Sequence, residues 1–201
     1  MKLYLSPGAC SLADHIALQE AGVDFQTVKV DLKTHRTEDG RDYREINPKG
    51  YVPALAFDDG QVLTENVAIL SWASDRGSLP EPQGAMGSFR LLEMLTFIST
   101  ELHKQFKPFF SDAPQADKAK AGETIGKRLD YLATRLGGDY LFGPEFGVAD
   151  AYLYVMLMWA EKNRLPIPQA LQAFKTRMDS QPAVKHALEE EGLNQPELAL
   201  S

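Results

Sequence analysis

The sequence predicts a small α/β domain with the element order βαβαββα, followed by an all-α domain. Strand-like and helix-like segments alternate in the first part of the chain, whereas apolar residues later recur only every three or four positions. Between Asp75 and Gly87 the composition shifts to proline, glycine and serine, as is typical of a linker. We therefore expect an α/β domain over residues 1–77, a linker over 78–87 and a helical domain over 88–201.

Each element of the α/β domain has a local reason in the sequence. The apolar run from Lys2 to Leu5 predicts a strand, and Gly22 ends the helix that follows. The pair Asp59-Gly60 supplies the turn residues that a hairpin needs. The sheet should therefore have four strands, with the first two parallel. In chain order, we predict a strand at 2–5, a helix at 11–21, a strand at 26–30, a short helix at 39–46, strands at 54–57 and 61–64, and a helix from 65.

The helical domain is predicted from the 3.6-residue period of its apolar positions. Phe146 followed by Gly147-Val148-Ala149-Asp150 resembles a capping box, with Asp150 at the third helical position and glycine as the cap. We expect one long amphipathic helix through Leu91 and Phe109, a second through Ile125 and Leu136, a third from Val148 through Trp159, and shorter ones at 168–180 and 182–191, before a loose tail from Asn194.

Composition excludes several classes of function. The chain has 201 residues and a net charge of −7, and it contains no basic cluster, which argues against nucleic acid or an anionic membrane as a partner. A single cysteine excludes an internal disulfide framework and fits a reducing compartment. No spacing of cysteine, histidine and carboxylate residues indicates a metal site. We expect a cytoplasmic protein without a metal or cofactor.

The single cysteine, Cys10, is the most informative residue of the chain. It follows the Pro7-Gly8 break, and Ser11 with Asp14 forms an S-x-x-D pattern that predicts a capped helix start. The thiol would then lie at the positive end of a helix dipole, which can lower a cysteine pKa from about 8.5 to roughly 3.5–7.5. The alternative is that Cys10 is a small buried apolar residue, as lone cysteines often are.

Five motifs occur in order along the chain, and together they resemble the glutathione transferases, more narrowly the bacterial beta class. The resemblance runs from Met1 to about Leu193. It implies a thioredoxin-like first domain, a homodimer, a role in detoxification and glutathione as the co-substrate. The motifs are SPGACS at 6–11, NPKGYVPAL at 47–55, LTEN at 63–66, STELHK at 99–104 and FGVADAYLY at 146–154.

The resemblance assigns a glutathione-binding role to several residues of the first domain. Val52, before a cis bond to Pro53, would hold the cysteinyl backbone of glutathione. At the start of a helix, Asn66 would take the γ-glutamyl carboxylate and Glu65 the ammonium group. Cys10 and Ser11 would lie near the glutathione sulfur, and Tyr51 and His35 complete the set predicted in this domain.

In the second domain the resemblance points to a polar stripe beside the apolar one. Thr96, Ser99 and His103 are spaced three and four residues apart, and Thr100 belongs to the same motif. His103 could donate a hydrogen bond to the glutathione sulfur or act as a base. The pocket for a small hydrophobic electrophile is predicted from aromatic and methionine side chains, which are more often core residues: Phe106, Phe109, Phe110, Tyr152, Met156 and Trp159.

Two positions depart from the pattern of the family. His35 stands where a lysine commonly binds the glycyl carboxylate, and a histidine is only partly charged at neutral pH. We therefore expect weaker or more pH-dependent glutathione binding, unless the neighbouring Arg36 substitutes. Thr96 replaces a common asparagine, so a hydroxyl is kept and an amide is lost.

Three functions remain open at this level. The first is conjugation of reduced glutathione to hydrophobic electrophiles, with Cys10 stabilising the glutathione thiolate. The second is a glutathione-dependent thiol transferase or reductive dehalogenase in which Cys10 is the nucleophile. The third is a non-catalytic ligand-binding or stress-linked protein that keeps the fold.

Overall fold

The computed structural model describes residues 1–77 and 79–193, which form two compact units. Residues Met1–Leu79 and the segment that begins at Pro182 make the first unit, and Pro80–Gln181 make the second. The predicted helix at 182–191 therefore groups with the α/β unit, although the predicted helical domain included it. The expected loose tail from Asn194 lies outside the described residues.

The first unit is built on a mixed sheet of five strands in the order β3-β2-β1-β4-β5. The central strand β1 pairs in parallel with β2 and antiparallel with β4, and the other neighbours are antiparallel. This arrangement is the predicted thioredoxin-like α/β domain, with one strand more than expected. The strands are β1 (Lys2–Leu5), β2 (Gln26–Asp31), β3 (Arg36–Thr37), β4 (Ala54–Ala56) and β5 (Val62–Thr64).

Between β2 and β4 the structure differs from the prediction. The helix expected at 39–46 is a single 3₁₀ turn, Tyr43–Glu45. The Asp42 side chain caps this turn by accepting the Arg44 N–H. The extra strand β3 pairs with the end of β2. Both differences arise because this segment is polar, so its hydrogen bonds and not an apolar period set its conformation.

Three helices complete the first unit: α1 (Ser11–Glu20), α2 (Asn66–Arg76) and α7 (Pro182–Glu191). α1 packs against both α2 and α7. Alternate residues of β1 face opposite sides of the sheet, so Leu3 and Leu5 separate from Tyr4, which packs with Val28 and Tyr43. Full burial of one such side chain stabilises the fold by about 1.5–3 kcal/mol.

The second unit is helical. The long helix predicted through Leu91 and Phe109 changes type twice, from α to a π-helical turn at Ile98–Leu102 and then to a 3₁₀ segment at His103–Phe110. Pro108 lies in the 3₁₀ segment and has no N–H to donate to an α-helical ladder. The α-helices are α3 (Gly87–Phe97), α4 (Gln115–Ala133), α5 (Val148–Lys162) and α6 (Gln169–Ser180). Over residues 1–77 and 79–193, every helix is too short or too polar to cross a bilayer.

The buried helix α5 begins with the predicted capping box. The Asp150 carboxyl group accepts the N–H groups of Gly147 and Leu141, each at 2.9 Å. Burial raises the Asp150 pKa to about 7, against the lowering effect of these hydrogen bonds. Glycine replaces serine or threonine at the cap because a Cβ atom on Gly147 would lie 2.8 Å from the Pro80 carbonyl oxygen.

Candidate functional site

The loop before α1 carries Cys10 at its end. Cys10 is the N-cap residue, but no side chain caps the helix. Ser11 is the first helical residue, and its hydroxyl accepts the Ser6 N–H at 3.2 Å and donates to the Ser6 carbonyl at 3.4 Å. Asp14 instead faces α2. The predicted S-x-x-D cap is therefore wrong, because both side chains bond to other parts of the unit.

The Cys10 thiol is uncharged at neutral pH in this structure. It donates to the Val52 carbonyl at 3.7 Å. Burial raises the thiol pKa to about 12, the Asp14 carboxyl group adds to the rise, and the N–H groups at the helix start oppose it. The prediction of a lowered thiol pKa is wrong for this structure, because desolvation exceeds the effect of the helix dipole.

The segment that faces the thiol is held by hydrogen bonds to its backbone. The Val52–Pro53 bond is cis, as predicted. The preceding carbonyl, that of Tyr51, accepts the Tyr43 hydroxyl at 3.0 Å and the Asn47 amide at 2.7 Å. These two side chains fix the backbone on which an extended peptide is predicted to pair.

Glu65 is the N-cap of α2 and has a positive φ of 78°. Such backbone geometry is uncommon for a residue with a side chain and is concentrated at functional sites. Its Oε1 atom accepts a hydrogen bond from the Tyr51 hydroxyl at 2.7 Å and one from the Lys49 ammonium group at 2.5 Å. Lys49 also donates to Thr64. The carboxylate predicted to bind the glutathione ammonium therefore already binds an ammonium group.

Asn66 does not cap α2 but joins it to α1. It is the first residue of α2, and its side-chain amide donates to the Cys10 carbonyl at 2.9 Å and to Asp14 Oδ2 at 2.6 Å. Asn66 and Asp14 are both buried. Sequence analysis missed the pairings of Lys49 and Asp14, since each depends on a residue more than ten positions away.

His35 and Arg36 point to different loops. His35 has a positive φ of 54°, and its Nδ1 donates to the Gly50 carbonyl at 3.0 Å. The Arg36 guanidinium donates to the Gly40 carbonyl at 2.8 Å. The side chain of His35 is thus held beside the NPKG turn. Arg36 is occupied elsewhere, so it is the weaker candidate for a glycyl carboxylate.

His15 holds the loop before Cys10 through α7. Its ring is fully buried, with Nδ1 at 3.0 Å from Glu191 and Nε2 at 2.8 Å from Glu190. Glu191 also accepts the Gly8 N–H at 2.8 Å. His15 is therefore a structural residue that bridges α7 and the loop before Cys10.

In the helical unit, His103 is half-buried against aromatic side chains. Its Nδ1 is hydrogen-bonded to the Tyr152 hydroxyl at 2.7 Å, and Trp159 meets the ring edge-on at 5.0 Å. Burial, and secondarily Lys104, lower the His103 pKa to about 4. His103 is neutral at neutral pH and can therefore accept or donate a hydrogen bond.

The other predicted residues of this unit divide into surface and core. Thr96 and Thr100 are exposed, and the Thr100 hydroxyl donates to the Thr96 carbonyl at 2.9 Å. Ser99 is half-buried. Of the residues predicted to line an electrophile pocket, Phe106, Tyr152, Met156 and Trp159 are buried in the core of the unit, Phe109 is half-buried and Phe110 is exposed.

Comparison with known proteins gives consistent matches along the chain. Residues 9–76 match the family described as "Glutathione S-transferase, N-terminal domain" and residues 100–191 match "Glutathione S-transferase, C-terminal domain". The chain is 43% identical to "Glutathione S-transferase GstA" of Escherichia coli O157:H7, over 96% of this chain and 100% of the relative.

Two solved structures are similar in both sequence and fold. One is a sphingomonad glutathione S-transferase complexed with glutathione, with 45% identity and a TM-score of 0.87. The other is the "Bacterial beta class Sphingomonas chungbukensis Glutathione S-transferase", with 42% identity and a TM-score of 0.87. Each match covers 96% of this chain and 100% of the other.

The raised pKa of Cys10 predicts slow alkylation by iodoacetamide. Because only the thiolate reacts, the rate should rise about tenfold for each unit between about pH 7 and about pH 10, without a plateau. Cys10 is the only cysteine, so the amount of label that iodoacetamide adds to cysteine measures the reaction of Cys10 alone. Free glutathione is the control and should react faster per thiol at about pH 8. A plateau below about pH 8 would contradict the uncharged thiol.

Proposed function

The chain belongs to the glutathione S-transferase family, within the bacterial beta class, and from that premise we propose that it conjugates reduced glutathione to hydrophobic electrophiles. The protein is a transferase enzyme, as are the named relatives that match it over nearly its whole length. The proposal concerns the substrate, the residues that hold it and the role of Cys10.

The observation that carries the proposal is the set of groups around Val52 in the first unit. Glutathione is an extended peptide with an ammonium group, two carboxylates and a thiol. Backbone at Val52 suits the peptide, and the N–H at the start of α2, at Asn66, suits a carboxylate. Glu65 suits the ammonium group, because it already binds the ammonium group of Lys49. The sphingomonad relative was solved with glutathione bound.

Lys49 makes binding an exchange of one ammonium group for another. The Lys49–Glu65 pair is exposed on both sides, and exposed ion pairs contribute only about 0–1 kcal/mol. The γ-glutamyl ammonium group of glutathione can therefore replace Lys49 on Glu65 at little cost. The Tyr51 hydroxyl, 2.7 Å from the same oxygen, keeps the carboxylate in place during the exchange.

Cys10 acts in this proposal as a hydrogen-bond donor. Its raised pKa keeps the proton on sulfur, so the S–H group can turn from the Val52 carbonyl to a glutathione thiolate. The glutathione thiol loses its proton to solvent, and the thiolate attacks the electrophilic carbon. A C–S bond forms while the bond from that carbon to its leaving group breaks, and the leaving group departs to solvent as an anion with the electron pair. A hydrogen bond aimed at the charged sulfur favours the thiolate. Ser11 supports the loop through Ser6.

The raised pKa also weighs against the second function. A thiol transferase or reductive dehalogenase of this kind needs Cys10 as a thiolate nucleophile. The third function, binding without turnover, has no observation in its favour. The roles of His103, Thr96, Ser99 and Thr100, the electrophile pocket, detoxification and the cytoplasmic location remain predictions.

One surface supports the homodimer that the resemblance implies. Met86, Phe89 and Leu92 are spaced three residues apart at the start of α3 and are 56%, 60% and 46% exposed. Large apolar side chains grouped on one helix face mark an interaction surface more often than isolated ones do. We propose that a second copy of the chain covers this face.

The role of Cys10 is tested by calorimetry and kinetics on the wild type, Cys10→Ala and Cys10→Ser under reducing conditions. All three should bind glutathione with a Kd between micromolar and millimolar. Cys10→Ala should lose roughly tenfold to hundredfold in conjugation rate, because a donor to the charged sulfur is gone. Cys10→Ser keeps a donor, so its rate should lie closer to that of the wild type.

The two variants separate the candidate functions. Conjugation that vanishes equally in both variants would indicate a covalent role for Cys10. Absence of glutathione binding by the wild type would refute the transferase proposal and favour the non-catalytic function.

His35→Lys should strengthen glutathione binding by about threefold to tenfold, since a lysine ammonium group makes a charge-assisted hydrogen bond to a carboxylate. Arg36→Ala is the matched control and should change the Kd little, because its guanidinium is bonded to Gly40. Calorimetry measures both. An unchanged Kd for His35→Lys, or a larger effect of Arg36→Ala, would contradict this role of His35.

Phe89→Asp should convert the protein to a monomer, because it places a charge in the centre of the apolar face. Sedimentation equilibrium measures the mass directly, with Leu32→Asp as a control at another exposed apolar residue. A wild type that sediments as a monomer of 22.3 kDa would refute the dimer.

A further inference from the structure

Asp14 is a buried carboxyl group that the proposed chemistry does not use. It lies in the first turn of α1 and has no exposed surface. Its Oδ2 atom accepts the Asn66 amide, whereas Oδ1 has no hydrogen-bond partner within residues 1–77 and 79–193. A buried ionised carboxylate with an unpartnered oxygen is costly, and the neutral acid is much less so. Burial accordingly raises the Asp14 pKa well above its ordinary range.

The partner of Asp14 joins two helix starts. The Asn66 amide donates one hydrogen bond to Asp14 and the other to the carbonyl of Cys10, the residue before α1. Asn66 is itself the first residue of α2. The N-terminus of a helix favours anions. The side chains of Asn66 and Asp14 therefore lie beside the two places where the proposed function puts negative groups of glutathione. The thiolate of glutathione belongs to the α1 start and its γ-glutamyl carboxylate to the α2 start.

A charge on Asp14 would oppose both of these groups. The Asp14 carboxyl group also helps to raise the pKa of the protein's own Cys10 thiol, so its charge would reach the start of α1. The other charged groups on the elements packed around α1 are placed otherwise. Five of them are exposed: Asp75 and Arg76 of α2, and Lys185, His186 and Glu189 of α7. Glu65 lies at the exposed start of α2, and Glu190 and Glu191 of α7 bind His15. β1 contributes Lys2 and Tyr4 as its titratable side chains.

We propose that Asp14 is a positioning residue for glutathione that works in its protonated form: it holds Asn66 across the two helix starts, and its ionisation weakens binding of the tripeptide. This inference rests on the proposed function. Because the ligand binds better to the protonated form, affinity is complete below the Asp14 pKa and falls as pH rises through it. The proton lost at high pH passes to solvent.

The test uses S-methylglutathione, whose blocked sulfur cannot ionise, and calorimetry from about pH 5 to about pH 9.5, so that the window begins just above the ordinary range of a carboxyl group. Asp14→Asn keeps an oxygen that can accept the Asn66 amide but cannot ionise. The ammonium group of the ligand titrates equally with both proteins, so only the difference between their profiles reports on Asp14. Affinity for the wild type should fall about tenfold more than for Asp14→Asn over this range, the size of a nearby like charge.

Two further variants separate the charge from the bridge. Asp14→Ala removes the acceptor for Asn66 and should weaken binding about fivefold or more at every pH. Because the variant has no ionisable group at this position, its affinity should show the same pH dependence as that of Asp14→Asn. Asp75→Asn removes an exposed carboxylate from α2 and should leave both affinity and pH profile unchanged. Thermal denaturation tests whether each variant is folded. If Asp14→Asn does not fold, Asp14→Ser replaces it as the variant that cannot ionise.

A second readout does not depend on glutathione. At about pH 9, alkylation of Cys10 should be faster in Asp14→Asn than in the wild type, because the opposing charge is gone. Matching pH profiles of the wild type and Asp14→Asn would overturn the proposal. Failure of the wild type to bind S-methylglutathione at any pH would refute the proposed function instead, and the alkylation rates would still decide whether the charge of Asp14 reaches the thiol site.

Discussion

The side-chain amide of Asn66 holds together the two helix starts on which the proposed glutathione site is built. Its two hydrogen bonds reach the Cys10 carbonyl and the Asp14 carboxyl group, and all of these atoms lie within one unit of the protein. A hydrogen bond of this kind contributes about 0.5–1.5 kcal/mol, but leaving a buried partner unsatisfied costs more. The amide therefore fixes the spacing between the Cys10 backbone and the start of α2, where the proposal places the γ-glutamyl carboxylate.

Two opposing effects set the pKa values of the ionisable groups at the start of α1. The end of a helix stabilises an anion by about 0.3–1 kcal/mol when exposed, whereas burial can move a pKa by up to about 3–5. Burial therefore outweighs the helix ends at both Cys10 and Asp14, and it raises the pKa of each group. A protonated thiol is a poor nucleophile but a competent donor, which is why conjugation fits the geometry better than disulfide exchange.

Supports from distant parts of the chain complete the first unit. His15 and Glu191 connect α7 to the loop before Cys10, and Lys49 occupies the carboxylate of Glu65. In the helical unit, the Tyr152 hydroxyl holds the His103 ring in place, and burial, with a smaller effect of Lys104, keeps that ring neutral.

The sequence by itself determined the family, the identity of most proposed site residues and the order of elements except between β2 and β4, where strand β3 was not predicted. The thioredoxin-like unit, the helices after it, the cis bond at Pro53 and the Asp150 cap were all predicted, because each depends on local pattern or a contiguous motif. Only the tertiary structure decided the ionisation of Cys10, the partners of Asp14 and Lys49, and the packing of α7 on α1. These features depend on burial and on contacts between residues far apart in sequence. Neither burial nor a long-range contact produces a local sequence pattern from which it could be predicted.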